Sequence, residues 1–172
     1  PLVEDATFLM KQSQNLHAEL MLRRLGRVEG GGSIEDGLAI VEQMLATAGA
    51  PRTAWDFADG SGMSIYNRVT PRLVARLLHW TSKQSWGAAF RSTLPVGGVD
   101  GTLRRRFAGT SLEGRVFAKT GTLNGVNALS GFMLTKSGKT LIFSAYANDR
   151  PSGAGSAIAA MDAALVEISE TN

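Results

Sequence analysis

The sequence contains no cysteine among its 172 residues. Disulfides and metal sites built on thiolates are therefore excluded, which suits an exported bacterial protein and a cytosolic one equally. No apolar run approaches the roughly 18 residues that a membrane-spanning helix requires, so no transmembrane segment is expected. The chain opens on Pro1 with neither an initiator methionine nor a basic-then-apolar leader, and we expect an excised or processed piece.

A strong excess of one charge is also missing. The formal net charge is only +3, from 18 Lys and Arg against 15 Asp and Glu. The basic residues are scattered apart from two short clusters, at 23–24 and 104–106. Because a dedicated nucleic-acid binder concentrates its charge on one face, no nucleic-acid partner is expected.

Several signatures of catalytic and cofactor sites are absent as well. There are two histidines, and neither belongs to a His-Glu-x-x-His motif or accompanies a carboxylate cluster, so no metal and no cofactor are expected. No Gly-x-Ser-x-Gly sequence is present, which excludes the nucleophile elbow of the α/β-hydrolases.

The first half of the chain shows helical spacing of its apolar residues. Helices are predicted over 4–12 and 16–25, with Ser13-Gln14-Asn15 between them. Ser33 followed by Asp36 predicts a capping box at the start of the next helix, and Thr70-Pro71 predicts the start of another. The expected buried faces of these last two helices are Val41, Leu45 and Ala48, and Leu73, Val74, Leu77 and Leu78.

The second half is rich in Val, Phe, Leu, Ile and Tyr and predicts strands over 115–123, 126–134 and 139–147. Asn124-Gly125 between the first two is a strong hairpin signal, so a consecutive antiparallel meander is expected. A final helix is predicted over 153–169, packed against the sheet, with Ala157, Met161, Ala164 and Ile168 on one face and Ile158 and Leu165 beside it. The fold class is therefore α+β, an antiparallel sheet with helices.

Lys119-Thr120-Gly121-Thr122 lies within the first of these strands. A glycine inside a strand weakens it unless another backbone must come close. The group is therefore interpreted as a strand that receives an extended peptide: Lys119 supplies positive potential, Thr120 and Thr122 bind a carboxylate, and Gly121 leaves room. The alternative is an exposed edge strand with solubilising polar residues.

Ser13-Gln14-Asn15 alone could be an ordinary helix cap. Together with the later Lys-Thr-Gly it matches the Ser-x-Asn and Lys-Thr-Gly elements of serine β-lactamases and penicillin-binding proteins. The segment 59–67, Asp-Gly-Ser-Gly-Met-Ser-Ile-Tyr-Asn, resembles a stretch of the class C low-molecular-mass penicillin-binding proteins, although Asp59 to Gly62 by themselves would be a polar turn. These are D-alanyl-D-alanine carboxypeptidases that also act as endopeptidases. Val99–Leu103 and Ala118–Gly131 are similar to further landmarks of that family, in the same order.

The resemblance implies that residues 1–172 are the C-terminal part of a penicillin-binding-protein/β-lactamase-like domain, with its sheet flanked by helices. In such an enzyme Ser13 would relay a proton, Asn15 would bind the substrate amide, and Lys119 would stabilise charge near Ser13. Thr120 and Thr122 would hold the terminal carboxylate, and the N–H of Thr122 would be one oxyanion-hole donor. Gln14 stands where the family usually has Asp or Asn.

The family's nucleophile motif, Ser-x-x-Lys, has no match here, because no serine is followed by lysine three residues later. We therefore expect a piece of a serine-type D-Ala-D-Ala carboxypeptidase/endopeptidase that is inactive by itself. The alternatives are a relative that binds cell-wall peptides or β-lactams without hydrolysing them, and an unrelated basic interaction module. A β-lactamase is the neighbouring chemical possibility.

The resemblance also implies the surroundings in which the protein acts. The expected ligands are peptidoglycan peptides ending in D-Ala, with β-lactams as inhibitors, and the expected location is periplasmic or otherwise extracytoplasmic. Since the family's sheet also uses upstream strands, one edge of the meander should be bare. Such an edge favours self-association or a complex with the N-terminal part of the same protein.

Overall fold

The computed structural model describes residues 1–149, 151, 153 and 155–172. The chain divides into two compact units, one formed by Pro1–Ser13 with Thr81–Asn172 and the other by Gln14–Trp80. In chain order the helices are α1 (Leu2–Gln12), α2 (Asn15–Glu29), α3 (Ile34–Thr47), α4 (Pro71–Ser82), α5 (Gly87–Thr93) and α6 (Ala157–Thr171). The strands are β1 (Trp55–Asp56), β2 (Arg68–Val69), β3 (Val116–Leu123), β4 (Val126–Leu134) and β5 (Thr140–Ala147).

The meander has the predicted order and direction. β3 pairs with β4, and β4 pairs with β5, both antiparallel. Asn124 and Gly125 form the two-residue turn between β3 and β4, in which Gly125 has a positive φ of 74° and Asn124 does not have a positive φ. The α+β fold class is confirmed.

Alternate residues of the sheet face opposite sides. One face builds the core of the first unit, which buries Val116 and Ala118 of β3 against α6 and the residues before β3. The other face carries Phe117 and Lys119, and the guanidinium of Arg91 in α5 lies 4.3 Å over the Phe117 ring. Buried members of the core are Leu103, Phe107, Leu112, Val116, Ala118, Leu129, Met133 and Leu165.

The last helix starts later than predicted, and its packed face is shifted towards Leu165, with Met161 of the predicted face still packed against the core. It begins at Ala157, and residue 154 of the predicted range 153–169 lies outside the described residues. Leu165 is 5% exposed and Ser169 is fully buried, whereas Ile168 is 41% exposed and Ala164 is also exposed. The predicted stripe was therefore wrong for Ala164 and Ile168, because alanine-rich helices offer several faces of nearly equal hydropathy.

The second unit has its own small core of Leu45, Trp55 and Leu73, with Val41 and Leu77 beside it. The capping box of α3 is confirmed: Ser33 Oγ accepts from the N–H of Asp36 at 3.1 Å, and the Asp36 carboxylate accepts from the N–H of Ser33 at 3.1 Å. The helix α4 begins at Pro71 as predicted. The two-residue strands β1 and β2 and the short helix α5 had not been predicted.

Within the described parts of the chain, no helix combines the length and the apolar character needed to cross a bilayer.

Candidate active site

Ser13 ends α1 in a conformation that is uncommon for a residue with a side chain. Its φ and ψ are both 55°, in the left-handed region, and its N–H donates to the carbonyl of Leu9. Glycine usually occupies this position at the end of a helix because a Cβ costs energy there. The backbone thus turns sharply at Ser13, and the Ser13 hydroxyl lies just beyond the end of the helix.

That hydroxyl meets Lys119, which lies 106 residues later in the chain. The Nζ of Lys119 donates to Ser13 Oγ at 2.6 Å and to the carbonyl oxygen of Thr120 at 2.8 Å. Burial of the ammonium lowers the pKa of Lys119 from its ordinary value. The structure therefore places a desolvated cation directly against the Ser13 hydroxyl.

The outer edge of β3 is only partly covered. Gly97 donates its N–H to the carbonyl of Val116, and Ala118 donates to the carbonyl of Pro95, so residues 95–97 pair with the beginning of the strand. Beyond Ala118, no strand in the described part of the chain pairs with this edge. The Lys119–Thr122 stretch therefore has an open strand edge, of the kind that can add an extended strand.

The open edge includes the N–H of Thr122. Along an antiparallel strand the N–H groups of every second residue point to the same side. Since the N–H of Ala118 points outward to Pro95, those of Thr120 and Thr122 point to the same side. The N–H of Thr122 thus lies on the open edge, while Gly121, on the opposite face from both threonine side chains, adds no side chain.

Thr120 has a partner that the sequence did not indicate. Its hydroxyl donates to Thr102 Oγ1 at 2.8 Å, and Thr102 lies in a short 3-10 helix, Gly101–Leu103. Leu103 is fully buried in the core, which fixes this helix beside the sheet. The segment Val99–Leu103 had been noted in the sequence without a role.

Near Ser13, Lys11 was missed entirely, and Asp100 had been noted only as part of the 99–103 segment, without a role. Lys11, two residues before Ser13, forms an ion pair with Asp100. The two residues are 89 positions apart, and nothing in the local sequence of either one indicates the pairing.

Asn15 belongs to the second unit and has a partner within it. It begins α2, and its Nδ2 donates to the carbonyl oxygen of Ser61 at 2.7 Å. Ser61 lies in the 59–67 segment, so the Asn15 side chain ties the start of α2 to that loop.

The 59–67 segment is organised around Asp59. Its carboxylate accepts from Ser61 Oγ at 2.8 Å, from the N–H groups of Gly62 and Ser64, and from Asn67 Nδ2 at 2.8 Å. Partial burial alone would raise the pKa of Asp59, but these hydrogen bonds outweigh it and hold the pKa below its ordinary value. These bonds close 59–67 into a polar loop that includes the turn expected over Asp59 to Gly62.

Over the described residues, no group of three or more His, Asp or Glu side chains is placed to hold a metal ion. The candidate site consists of hydroxyls, a lysine and a strand edge.

Comparison with known sequences supports the resemblance. The profile of the D-Ala-D-Ala carboxypeptidase 3 (S13) family matches residues 1–169. A D-alanyl-D-alanine carboxypeptidase of Actinomadura sp. strain R39 is 38% identical over 94% of this chain, which covers 30% of that protein. The D-alanyl-D-alanine carboxypeptidase DacB of Haemophilus influenzae is 31% identical over 89% of this chain, which covers 33% of that protein. The chain thus spans about a third of the length of these relatives.

Solved structures show the same fold. Penicillin binding protein 4 of Haemophilus influenzae, crystallised with a β-lactam, superposes with a TM-score of 0.87 at 27% identity. The superposition covers 99% of this chain and 42% of that one. A class A β-lactamase of Bacteroides cellulosilyticus, with a TM-score of 0.65 at 19% identity, shares the fold alone.

Proposed function

The chain belongs to the D-Ala-D-Ala carboxypeptidase 3 (S13) family, and on this premise we propose that it is the C-terminal part of a serine peptidase acting on peptidoglycan stem peptides. The observation that carries this proposal is the 2.6 Å contact between Lys119 Nζ and Ser13 Oγ, beside an open strand edge. The Actinomadura relative is named as a D-alanyl-D-alanine carboxypeptidase, and the Haemophilus structure holds a β-lactam.

The substrate is proposed to lie along the outer edge of β3 as an additional extended strand. Its terminal carboxylate would be bound by the hydroxyls of Thr120 and Thr122, and Gly121 would let the two backbones approach. Asn15 would bind the substrate amide. β-Lactams would occupy the same place as inhibitors.

The nucleophile is proposed to be a serine of a Ser-x-x-Lys segment supplied by the whole protein, since these 172 residues contain no such motif. The serine oxygen would form an ester with the penultimate D-Ala carbonyl while the peptide bond breaks. Ser13, polarised by Lys119, would pass the serine's proton to the departing amine of the terminal D-Ala. Water would then hydrolyse the ester in the reverse proton sequence.

The N–H of Thr122 is proposed to stabilise the negative oxygen in both steps. A single oxyanion-hole donor is typically worth about 3–4 kcal/mol of transition-state stabilisation. A second donor would come from the backbone of the nucleophile segment. Cell-wall substrates imply that the protein acts outside the cytoplasm.

The test is acylation by a labelled penicillin, using the whole protein expressed from its complete coding sequence. We expect stoichiometric labelling of the whole protein and none of the separate 172-residue chain. Lys119→Ala should slow labelling by about 100- to 1000-fold, comparable to the loss of one electrostatic group in a catalytic site. Lys136→Ala, which removes an exposed lysine of the same unit, is the matched control and should leave the rate unchanged.

Two results would contradict the proposal. Rapid labelling of the separate chain would show that the nucleophile lies within it. Tight but non-covalent binding of penicillin by the whole protein, with no release of D-Ala from a peptide, would favour the alternative of a non-hydrolysing binding protein.

A further inference from the structure

The segment 95–103, between α5 and β3, contacts both elements that carry the candidate site. The start of the segment pairs with β3: the carbonyl of Pro95 and the N–H of Gly97 hydrogen bond to the strand just before Lys119. It then turns towards α1 and enters the 3-10 helix that carries Thr102. The segment is therefore attached to β3 on one side and can hold α1 on the other.

Asp100 makes the contact with α1, and its two carboxylate oxygens have different partners. Oδ1 accepts from the N–H of Val96 at 2.9 Å and closes the turn of the segment. Oδ2 pairs with the ammonium of Lys11, two residues before Ser13. One carboxylate thus joins the segment bound to β3 to the last turn of α1.

Gly101 brings the two backbones into contact at the same place. Its φ is +55°, and a Cβ added there would lie 2.9 Å from the carbonyl oxygen of Lys11 and 3.2 Å from the Lys11 Cα. A side chain is therefore excluded by the end of α1 itself. The ion pair and this close approach fix the same turn of the helix.

Thr102 extends the contact to the substrate side of β3. Its Oγ1 accepts the hydroxyl hydrogen of Thr120, one of the two hydroxyls proposed to bind the carboxylate. Thr120 has a single hydroxyl hydrogen, so it can donate to a substrate carboxylate only when the bond reverses and Thr102 donates to Thr120 Oγ1. Thr102 would then orient the Thr120 hydroxyl towards the carboxylate.

We propose that the 95–103 segment is the positioning element of the site: Asp100 holds Ser13 against Lys119 through Lys11, and Thr102 orients the Thr120 hydroxyl. The proposal rests on the proposed function. Ser13 lies on the end of a helix and Lys119 on a strand, and the short contact between them survives only if these two elements keep a fixed separation. A displacement of about 1 Å at a reacting group can slow a reaction by about 100-fold.

The central experiment compares Asp100→Asn with Asp162→Asn in the whole protein. The amide oxygen that Asp100→Asn introduces can still accept from the N–H of Val96, so the turn stays closed while the ion pair to Lys11 is lost. The Arg106–Asp162 pair is a matched control in the same unit, with side chains 14% and 22% exposed against 19% and 34% for Lys11 and Asp100. Neither member of the control pair belongs to the candidate site.

We expect Asp100→Asn to slow acylation by a labelled penicillin by about 10- to 100-fold, with the loss in the acylation step rather than in initial binding. Asp162→Asn should lower the melting temperature about as much as Asp100→Asn does, but should leave acylation within about 2-fold of the unmodified protein. Lys11→Met should match Asp100→Asn, and the double variant should be no slower than either single variant, because the two residues act as a pair. Asp100→Glu, which keeps the carboxylate, should recover part of the rate.

Thr102 is tested by its effect on substrate choice. Thr102→Val should reduce the preference for a peptide with a free terminal carboxylate over the same peptide as its amide, by about 10-fold. Thr102→Ser keeps the hydroxyl and should keep the preference. Equal preference in all three proteins would remove Thr102 from the proposal.

Acylation at the normal rate in Asp100→Asn would overturn the positioning role, and so would an equal loss in Asp100→Asn and Asp162→Asn. If the unmodified protein is not acylated at all, the proposed function fails, and hydrogen exchange decides the structural claim. Faster exchange of the Ser13 amide in Asp100→Asn, but not in Asp162→Asn, supports the positioning role. Equal exchange in both overturns it.

Discussion

Ser13 shows that the candidate site depends on backbone conformation as much as on side-chain identity. For a residue with a Cβ the left-handed region costs about 1–2 kcal/mol, and Ser13 adopts it at the end of α1. The hydroxyl is thereby directed at Lys119. Strain of this kind is common where function dictates a residue that local structure disfavours.

This strain predicts that two small substitutions differ in stability but not in activity. Ser13→Gly and Ser13→Ala both remove the hydroxyl, so both should abolish its proton transfer and slow acylation to a similar extent. Glycine alone tolerates the left-handed backbone, and Ser13→Gly should be more stable than Ser13→Ala by about 1 kcal/mol. Denaturant unfolding of the two variants measures this difference directly. Equal midpoints would show that the backbone at Ser13 relaxes at no cost.

Lys119 makes the free energy of unfolding depend on pH in the alkaline range. Burial lowers the pKa of its ammonium in the folded protein below the ordinary value of 10.5 that applies in the unfolded chain. Between these two values the unfolded chain binds more protons, so stability rises as the pH increases through this window. At pH values below this window Lys119 is charged in both the folded and the unfolded chain, and its contribution to stability is constant.

Lys119→Met removes this titration. The free energy of unfolding of the unmodified protein, minus that of Lys119→Met, should therefore be flat at neutral pH and should rise on the approach to pH 10.5. Denaturant midpoints of both proteins over this pH range provide the measurement. A difference that falls with increasing pH would mean that Lys119 is stabilised, not penalised, as a cation.

At the scale of secondary-structure elements, two glycines of the sheet have distinct purposes. A Cβ on Gly131 of β4 would lie 2.1 Å from the carbonyl oxygen of Phe117 and 2.6 Å from the Ala118 Cα, so only glycine lets β4 pack here. A Cβ on Gly121 of β3 would meet only the Ala128 Cβ, at 3.4 Å, which is an ordinary contact. Gly131 is therefore required by the fold, whereas Gly121 is not.

Substituting the two glycines should affect different properties: Gly131 should affect stability, and Gly121 should affect activity. Gly131→Ala should destabilise the protein by about 1–3 kcal/mol or more, since backbone atoms cannot move aside as side chains do. Gly121→Ala should leave stability within about 1 kcal/mol but slow acylation by about 10-fold or more, because its methyl group would stand where the substrate backbone approaches. Thermal unfolding and penicillin labelling of the two variants check both halves. A stable Gly131→Ala variant or a fully active Gly121→Ala variant would contradict this assignment.

At the scale of the whole molecule, the sheet has a second edge that the described residues leave open. No strand among them pairs with the outer side of β5, which is eight residues long and half-buried over most of its length. Such an edge offers unpaired backbone groups to another chain. The relatives, about three times longer than this chain, have additional residues that could cover it.

We therefore expect the separate 172-residue chain to associate with itself. Light scattering after size-exclusion chromatography should give a mass above 18.2 kDa that increases with concentration and changes little with salt, because backbone pairing is not an ionic interaction. The whole protein should not show this behaviour if its other residues cover the edge. A monomer of 18.2 kDa at all concentrations would contradict the expectation.

Local patterns were sufficient to predict most of the elements. The meander, its Asn124-Gly125 turn and the capping box at Ser33 follow from side-chain periodicity and turn chemistry, which act between residues close in sequence. The packed face of α6 followed only in part, because Leu165 and Ile168 are equally apolar and only the position of the sheet distinguishes them. The short helix α5 and the pair β1–β2 are likewise held by contacts with distant residues. Such short segments contain too few residues to show a helical or strand periodicity.

The candidate site shows the same division. Ser13, Asn15 and the Lys119–Thr122 stretch could be singled out in the sequence because their residue types form known motifs at a known order. The left-handed turn at Ser13, the pairing of Lys11 with Asp100 and the hydrogen bond from Thr120 to Thr102 arose only in the folded chain. Each of these depends on tertiary packing. An ion pair between residues 89 positions apart places no requirement on the neighbours of either residue, so it produces no local sequence pattern.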